Sequence, residues 1–348
     1  MTDSPPASPL QADLRAATQG MDAQVWNAMR GRSIFITGGT GFVGGWLVEA
    51  LMEANRRLDL GLAVTVLSRN PGAFAASCPH LAADAALRLQ AGDVTSFDFP
   101  AGHFDMAVHA ALPVASPSSG ALQDTARAGA LRVAAFARER GVQRLLHVSS
   151  GAVYGPQAAG LALLAEDTSW DLEAPANDYT CAKRAEEQLL AEAGLPALVT
   201  ARCFAMIGPR QPAASGTAAA QFVAQAARGE AISVQGDGLA VRSYLYAADM
   251  AAWLLTLLAL GRPQAAYNIG SEDAVSIAEL AREVSAAAGL RQPVRIAGAA
   301  AAGRAGARYV PDTALARREL GLQSRIGLAE AIARSLQWAR VHPTTIAP

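Results

Sequence analysis

The segment Thr37-Gly38-Gly39-Thr40-Gly41-Phe42-Val43-Gly44 constrains the fold of this chain more than any other stretch. Gly38, Gly41 and Gly44 stand three apart, between a β-rich run at 33–37 and a helical run from 42 to about 57. Lacking a Cβ, such glycines let the backbone turn tightly and approach a pyrophosphate at the helix N-terminus. There the free N–H groups and the helix dipole favour an anion. A glycine turn by itself also fits an ordinary strand-to-helix connection. The strand before it and the helix after it favour dinucleotide binding, with Phe42 and Val43 in the approach.

The rest of the chain has the same alternation. Short apolar runs at 33–37, 63–67, 87–91, 106–110 and 144–149 read as strands, and 121–140 and 178–193 as helices. Near-continuous apolar strands between helices predict an α/β fold of Rossmann type: a doubly wound parallel sheet covered on both faces. After Gly208, the residues Pro209, Pro212, Gly216, Gly236 and Gly238 break the chain into shorter elements. The alternation returns at 249–260 and 266–269, and helical stretches follow near 276–288 and 327–340. The expected organisation is a flexible N-terminal segment, 1–30, with room for a short helix. A dinucleotide-binding domain follows over 31–207 plus about 245–270. A smaller C-terminal α/β substrate lobe comes from 208–244 and 271–341. The Ala-rich stretch 297–307, with three glycines, reads as a mobile loop.

Composition removes several classes. With 29 basic and 30 acidic residues the net charge is −1, which leaves no cationic surplus to neutralise nucleic acid phosphates. Apolar residues make up 51% of the 348, enough for a large core. The longest apolar run, 250–261, falls short of the roughly 20 residues a bilayer span needs and reads as a buried helix. Cys78, Cys181 and Cys203 are scattered and have no zinc spacing, and the first twenty residues lack a signal-peptide pattern. A reduced, cytoplasmic protein with no metal, membrane or nucleic acid partner is expected.

Two further motifs carry chemistry. Tyr179-Thr180-Cys181-Ala182-Lys183 opens a helical run, and its i, i+4 spacing puts the phenol and the ammonium on one face. A nearby cation favours the phenolate of a group whose ordinary pKa is about 10. His147-Val148-Ser149-Ser150-Gly151-Ala152-Val153-Tyr154-Gly155 ends a strand on two hydroxyls. At the end of the second strand, Leu67-Ser68-Arg69 has no acid for a ribose 2′-hydroxyl, and Asp59 comes before that strand. An Arg there suits a 2′-phosphate, so NADP(H) is favoured and NAD(H) remains possible. Asp93 is placed to accept from the adenine amine, and Val94, Ala110 and Ala111 complete the expected cofactor contacts. His109, His147 and Trp253 read as core residues, and nothing near Cys181 marks it as a thiolate.

With these motifs the chain resembles an extended short-chain dehydrogenase/reductase of the nucleotide-sugar epimerase/dehydratase family. The likeness runs from about Gly31 to Arg340 and includes Ala201-Arg202-Cys203-Phe204, Gly208-Pro209-Arg210, Gly236-Asp237-Gly238, Arg242-Ser243-Tyr244, Tyr267-Asn268-Ile269-Gly270-Ser271 and Tyr309-Val310-Pro311-Asp312. The resemblance implies Tyr179 as acid/base, Lys183 as its partner and a ribose ligand, and Ser150 as the hydroxyl bonded to the reacting oxygen. It also implies Arg242 and Arg308 on a substrate diphosphate, and a homodimer through 121–140 and 178–193. Dehydratases of the family follow the catalytic hydroxyl with an acid pair. Gly151 and Ala152 stand there instead, and Ala205 replaces a common Asn. The expected activity is therefore hydride transfer at carbon 4 of a nucleotide-activated sugar, as a 4-ketoreductase or 4-epimerase. The alternatives are a 4,6-dehydratase or a non-catalytic dinucleotide sensor.

Overall fold

The computed structural model describes residues 9–112, 120–170, 176–298 and 306–342. Seven strands form one parallel sheet: β1 (Ser33–Thr37), β2 (Ala63–Ser68), β3 (Leu87–Ala91), β4 (Met106–His109), β5 (Arg144–Ser150), β6 (Leu198–Cys203) and β7 (Ala265–Ile269). Their order across the sheet is 3-2-1-4-5-6-7. The direction of winding reverses between β1 and β4, which pair in register from Ile34↔Met106 to Thr37↔His109. Chains leaving neighbouring strands toward opposite faces open a crevice there, at the strands' C-terminal ends. This is the α/β Rossmann architecture the alternation predicts.

Both faces of the sheet are dry. On one, Phe35, Phe97, Phe104 and Phe136 pack together, with Phe35 and Phe136 centroids 4.3 Å apart. On the other, Ile34 and Ile36 meet Trp46, Leu47 and Leu51 of the helix Phe42–Leu58. Burying each such side chain contributes about 1.5–3 kcal/mol. The apolar run read as a buried helix is the helix Ala247–Leu260, with Trp253 only 3% exposed.

The N-terminal segment, expected to be flexible with room for a short helix, holds two helices packed on the domain, Pro9–Gln19 and Ala23–Met29. Leu10, Leu14 and Ala17 form one stripe, and Val25, Trp26 and Met29 another; both enter the main core. Asp13 is bonded to Tyr246 and Arg334, tying the segment to the start of the helix Ala247–Leu260 and to the helix Leu328–Val341.

Beyond residue 208, the helices Ala218–Ala227, Ile277–Ala288 and Leu328–Val341 pack on one another. A three-stranded sheet places Val241–Ser243 between Ala274–Ser276 and Arg308–Tyr309. The main core continues without a break from the large sheet into these helices. Most of the stretch expected as a mobile loop, 299–305, lies outside the described residues.

Candidate active site

A cavity of about 610 Å³ opens at the C-terminal ends of β1, β4, β5 and β6. Its wall includes Gly38, Gly41, Phe42, Val43, Gly44 and Ala110 from the glycine turn and the end of β4. Opposite them stand Ser149, Ser150, Tyr179, Lys183 and Cys203. Segments more than a hundred residues apart thus meet because the parallel strands all end on this side.

The turn fits a dinucleotide. Gly38 has φ +73, and a Cβ there would lie 2.4 Å from the Ala110 carbonyl oxygen. A Cβ on Gly44 would lie 2.2 Å from the Gly38 oxygen, so the helix packs directly on the turn. Gly41 caps the helix Phe42–Leu58 with no side-chain bond, and its first turn carries no acid to compete with a phosphate.

Tyr179 and Lys183 sit on the first turns of the helix Asp178–Glu192, which starts because Asn177 accepts from the Thr180 amide at 2.9 Å. The Lys183 Nζ donates to the Val148 carbonyl oxygen at 3.0 Å and to Glu186 Oε2 at 2.8 Å. The two serines of β5 differ. Ser149 Oγ donates to Glu187 Oε1 at 2.5 Å, and Glu187 is paired with Arg202 at 2.9 Å. Ser150 Oγ accepts from the Ala152 amide at 3.2 Å and interacts with the Tyr309 hydroxyl. Burial pushes the Cys203 thiol up to about 12, so it lines the cleft uncharged.

The sequence pattern described as the NAD dependent epimerase/dehydratase family matches residues 34–270. The chain belongs to that family. As relatives of this family member, a dTDP-glucose 4,6-dehydratase of Streptomyces niveus is 29% identical, covering 88% of this chain and 92% of the relative. UDP-glucuronic acid decarboxylase 6 of Arabidopsis thaliana is 30% identical over 72% of this chain and 73% of its own. A dTDP-glucose 4,6-dehydratase of Streptomyces venezuelae, solved with NAD bound, superposes with a TM-score of 0.77 at 25% identity, covering 91% of this chain and 99% of that one. The protein is thus an enzyme of the NAD-dependent epimerase/dehydratase family with the extended short-chain dehydrogenase fold.

Within this family fold, other expected site residues fall at the edges. Arg69 is exposed just after β2. Asp93 Oδ1 accepts from the Thr95 hydroxyl at 2.7 Å and its amide at 2.9 Å. These bonds, with Arg69 nearby, hold its carboxyl below the usual range. Val94 is 8% exposed and packs with Phe35 and Phe97. The Ala111 amide abuts the Gly38 turn. Arg242 and Arg308 are not on the cavity wall. Arg242 donates to the Val241 and Ala307 carbonyls at 2.8 and 3.0 Å and lies 5.6 Å over the Tyr309 ring. Arg308 donates to the Ala162 carbonyl at 2.7 Å.

Two residues near the site were not singled out from sequence. Tyr309 stacks on Phe204 with centroids 4.5 Å apart, and burial raises its phenol. A Cβ on Gly151 would lie 2.6 Å from the Phe204 ring and 2.7 Å from the Tyr309 hydroxyl, so these rings fill the space beside Gly151. Tyr309 stands in the segment Tyr309-Val310-Pro311-Asp312 of the resemblance with no role assigned, and it reaches Ser150 through the small three-stranded sheet. Glu186 had a signal: it stands three residues after Lys183, on the same helix face.

Proposed function

We propose that this enzyme transfers a hydride at carbon 4 of a nucleoside diphosphate-sugar, ending in reduction of a 4-ketone or in 4-epimerisation. One observation carries this reading. A single cleft holds the glycine turn together with Ser150, Tyr179 and Lys183, while Gly151 and Ala152 follow Ser150 and can move no proton. When bound, the nicotinamide cofactor supplies or accepts the hydride. Tyr179 exchanges the proton with the carbon 4 oxygen, Ser150 donates a hydrogen bond to that oxygen, and Lys183 supplies a fixed positive charge beside the phenol. Gly38, Gly41 and Gly44 hold the pyrophosphate, with Arg69 and Asp93 toward the adenosine end. Arg69 favours NADP(H); the NAD in the Streptomyces venezuelae neighbour supports NAD(H) as the alternative. Arg242 and Arg308 reach the substrate diphosphate after giving up their present carbonyl partners. The protein works in the cytoplasm as a homodimer through Ala121–Glu139 and Asp178–Glu192, where Leu131 is 56% exposed.

The relatives favour a second reading, dehydration, since two of those named above are 4,6-dehydratases. Product mass separates the two. The enzyme is incubated with dTDP-glucose, UDP-glucose and UDP-glucuronic acid plus NAD, and with the corresponding 4-keto sugars plus NADPH. The proposal expects a product of unchanged mass, or one heavier by two hydrogens. A product lighter by one water assigns dehydration instead.

A further inference from the structure

Lys183 is the only lysine in the chain; the other 28 of its 29 basic residues are arginines. Its ammonium does not stand alone beneath the cleft. Glu186, wholly buried, bonds Lys183 Nζ through Oε2 at 2.8 Å. The same oxygen meets His147 Nε2 at 3.2 Å, and Oε1 lies 3.5 Å from His109 Nε2. On its other side, His109 Nδ1 is 2.8 Å from Thr37 Oγ1, the last residue before the glycine turn. Thr37 Oγ1 accepts from the Ala110 amide at 3.3 Å, so its own proton suits His109 Nδ1 and places the imidazole N–H on Nε2, toward Glu186. Three elements therefore converge on one carboxylate: β4, β5 and the catalytic helix.

We propose that Glu186 is a positioning residue for Lys183, a buried carboxylate that clamps the chain's only ammonium against the Val148 carbonyl, with His147 bonded to the same carboxylate and His109 beside it. The other titratable groups facing the ammonium are Tyr179 on its own helix and Cys203 on β6. Glu187, next on the helix, is already engaged by Arg202. Burial opposes ionisation of Glu186, yet Lys183 and the two histidines outweigh it and hold the carboxyl well below its usual range. Burial likewise disfavours the Lys183 charge, and the Glu186 carboxylate outweighs it, so the amine is raised. His147 is pushed down by burial and stays neutral. The pair thus keeps both charges throughout the neutral range. A free ammonium on a flexible stem would not hold one position beside Tyr179.

This inference rests on reading Lys183 as the partner of Tyr179, but its test needs no substrate. Protein labelled with isotopic lysine gives one side-chain resonance, whose pH titration is followed in wild type, Glu186→Gln and Glu186→Asp. The expected wild-type midpoint lies above the ordinary lysine value of about 10.4. In Glu186→Gln it falls by about one pH unit or more, and the shorter carboxylate of Glu186→Asp recovers part of that loss. A Glu186→Gln midpoint equal to wild type overturns the clamp. So does a wild-type midpoint at or below the ordinary value, which decides the matter even if Glu186→Gln does not fold. A failed search for a nucleotide-sugar substrate would leave this titration unchanged.

Discussion

At the residue scale, the proposed chemistry depends on one phenol and one ammonium held a helical turn apart. Tyr179→Phe removes the exchangeable proton and little else. Turnover on a confirmed substrate should fall about 10²–10⁴-fold, the usual contribution of a general acid/base. Dinucleotide affinity should stay within twofold by calorimetry, to about that precision. Near wild-type turnover in this variant would remove Tyr179 from the mechanism. Arg69 carries the second residue-scale expectation. It is exposed at the end of β2, with no acid beside it in Ser68-Arg69-Asn70. Arg69→Ala should weaken NADPH binding by about 1.5–3 kcal/mol, the scale of a charge-assisted hydrogen bond, and leave NADH binding nearly unchanged. Equal losses for both cofactors would leave Arg69 as a solvated cation. Tyr179, Lys183 and the glycines were legible because their spacing is local. Glu186 was not singled out although its bond to Lys183 is local, and the role of Tyr309 was not read because it meets Ser150 across the fold.

At the scale of elements, apolar patterning located β1 to β5 and β7 to within a residue or two, while β6, interrupted by Thr200 and Arg202, was not read from it. β2 was expected at 63–67 and spans Ala63–Ser68; β5 was expected at 144–149 and spans Arg144–Ser150. Strands buried on both faces need continuous apolar runs, and such runs are hard to hide. The helices Pro9–Gln19 and Ala23–Met29 are short, with narrow apolar stripes that are stable only against the surfaces they cover. The helix Ala121–Glu139 offers an element-scale test of assembly. Leu131 projects from it largely exposed, while its neighbours Ala130 and Val133 are buried. If this helix forms the dimer face, Leu131→Arg should place a charge in an apolar contact and shift the protein toward monomer. Light scattering after size exclusion reads the outcome. A dimer unaffected by Leu131→Arg would place the interface elsewhere.

At the scale of the whole molecule, function depends on what the region after residue 208 brings to the sheet. Arg242 is now engaged by two carbonyls and lies over Tyr309, whose hydroxyl reaches Ser150. A guanidinium at this position suits a diphosphate bidentately. Thermal unfolding with the dinucleotide present should therefore respond to one nucleoside diphosphate among UDP, dTDP, GDP and CDP. At about 100 times its Kd that ligand should stabilise the fold by ~2.7 kcal/mol, and Arg242→Ala should lose much of the shift. An equal response in the variant would exclude Arg242 from the diphosphate site. If no nucleotide shifts the wild type, a smaller carbonyl substrate becomes the better reading.

The sequence by itself determined the alternation, the glycine turn and the Tyr179/Lys183 spacing, because each is enforced within a few residues by backbone sterics, helical period or strand burial. It also placed Ser149 and Ser150 together at one strand end. Only the tertiary structure decided which hydroxyl is committed to a partner: Ser149 donates to Glu187, while Ser150 meets Tyr309. It likewise decided that Val94 packs into the core on one face of the sheet and that residues 9–29 join the core on the other. The same holds for the convergence of Lys183, Glu186, His147 and His109 under the cleft. These outcomes depend on which residues distant in the chain become neighbours, and that is fixed by the order 3-2-1-4-5-6-7 in which the strands assemble.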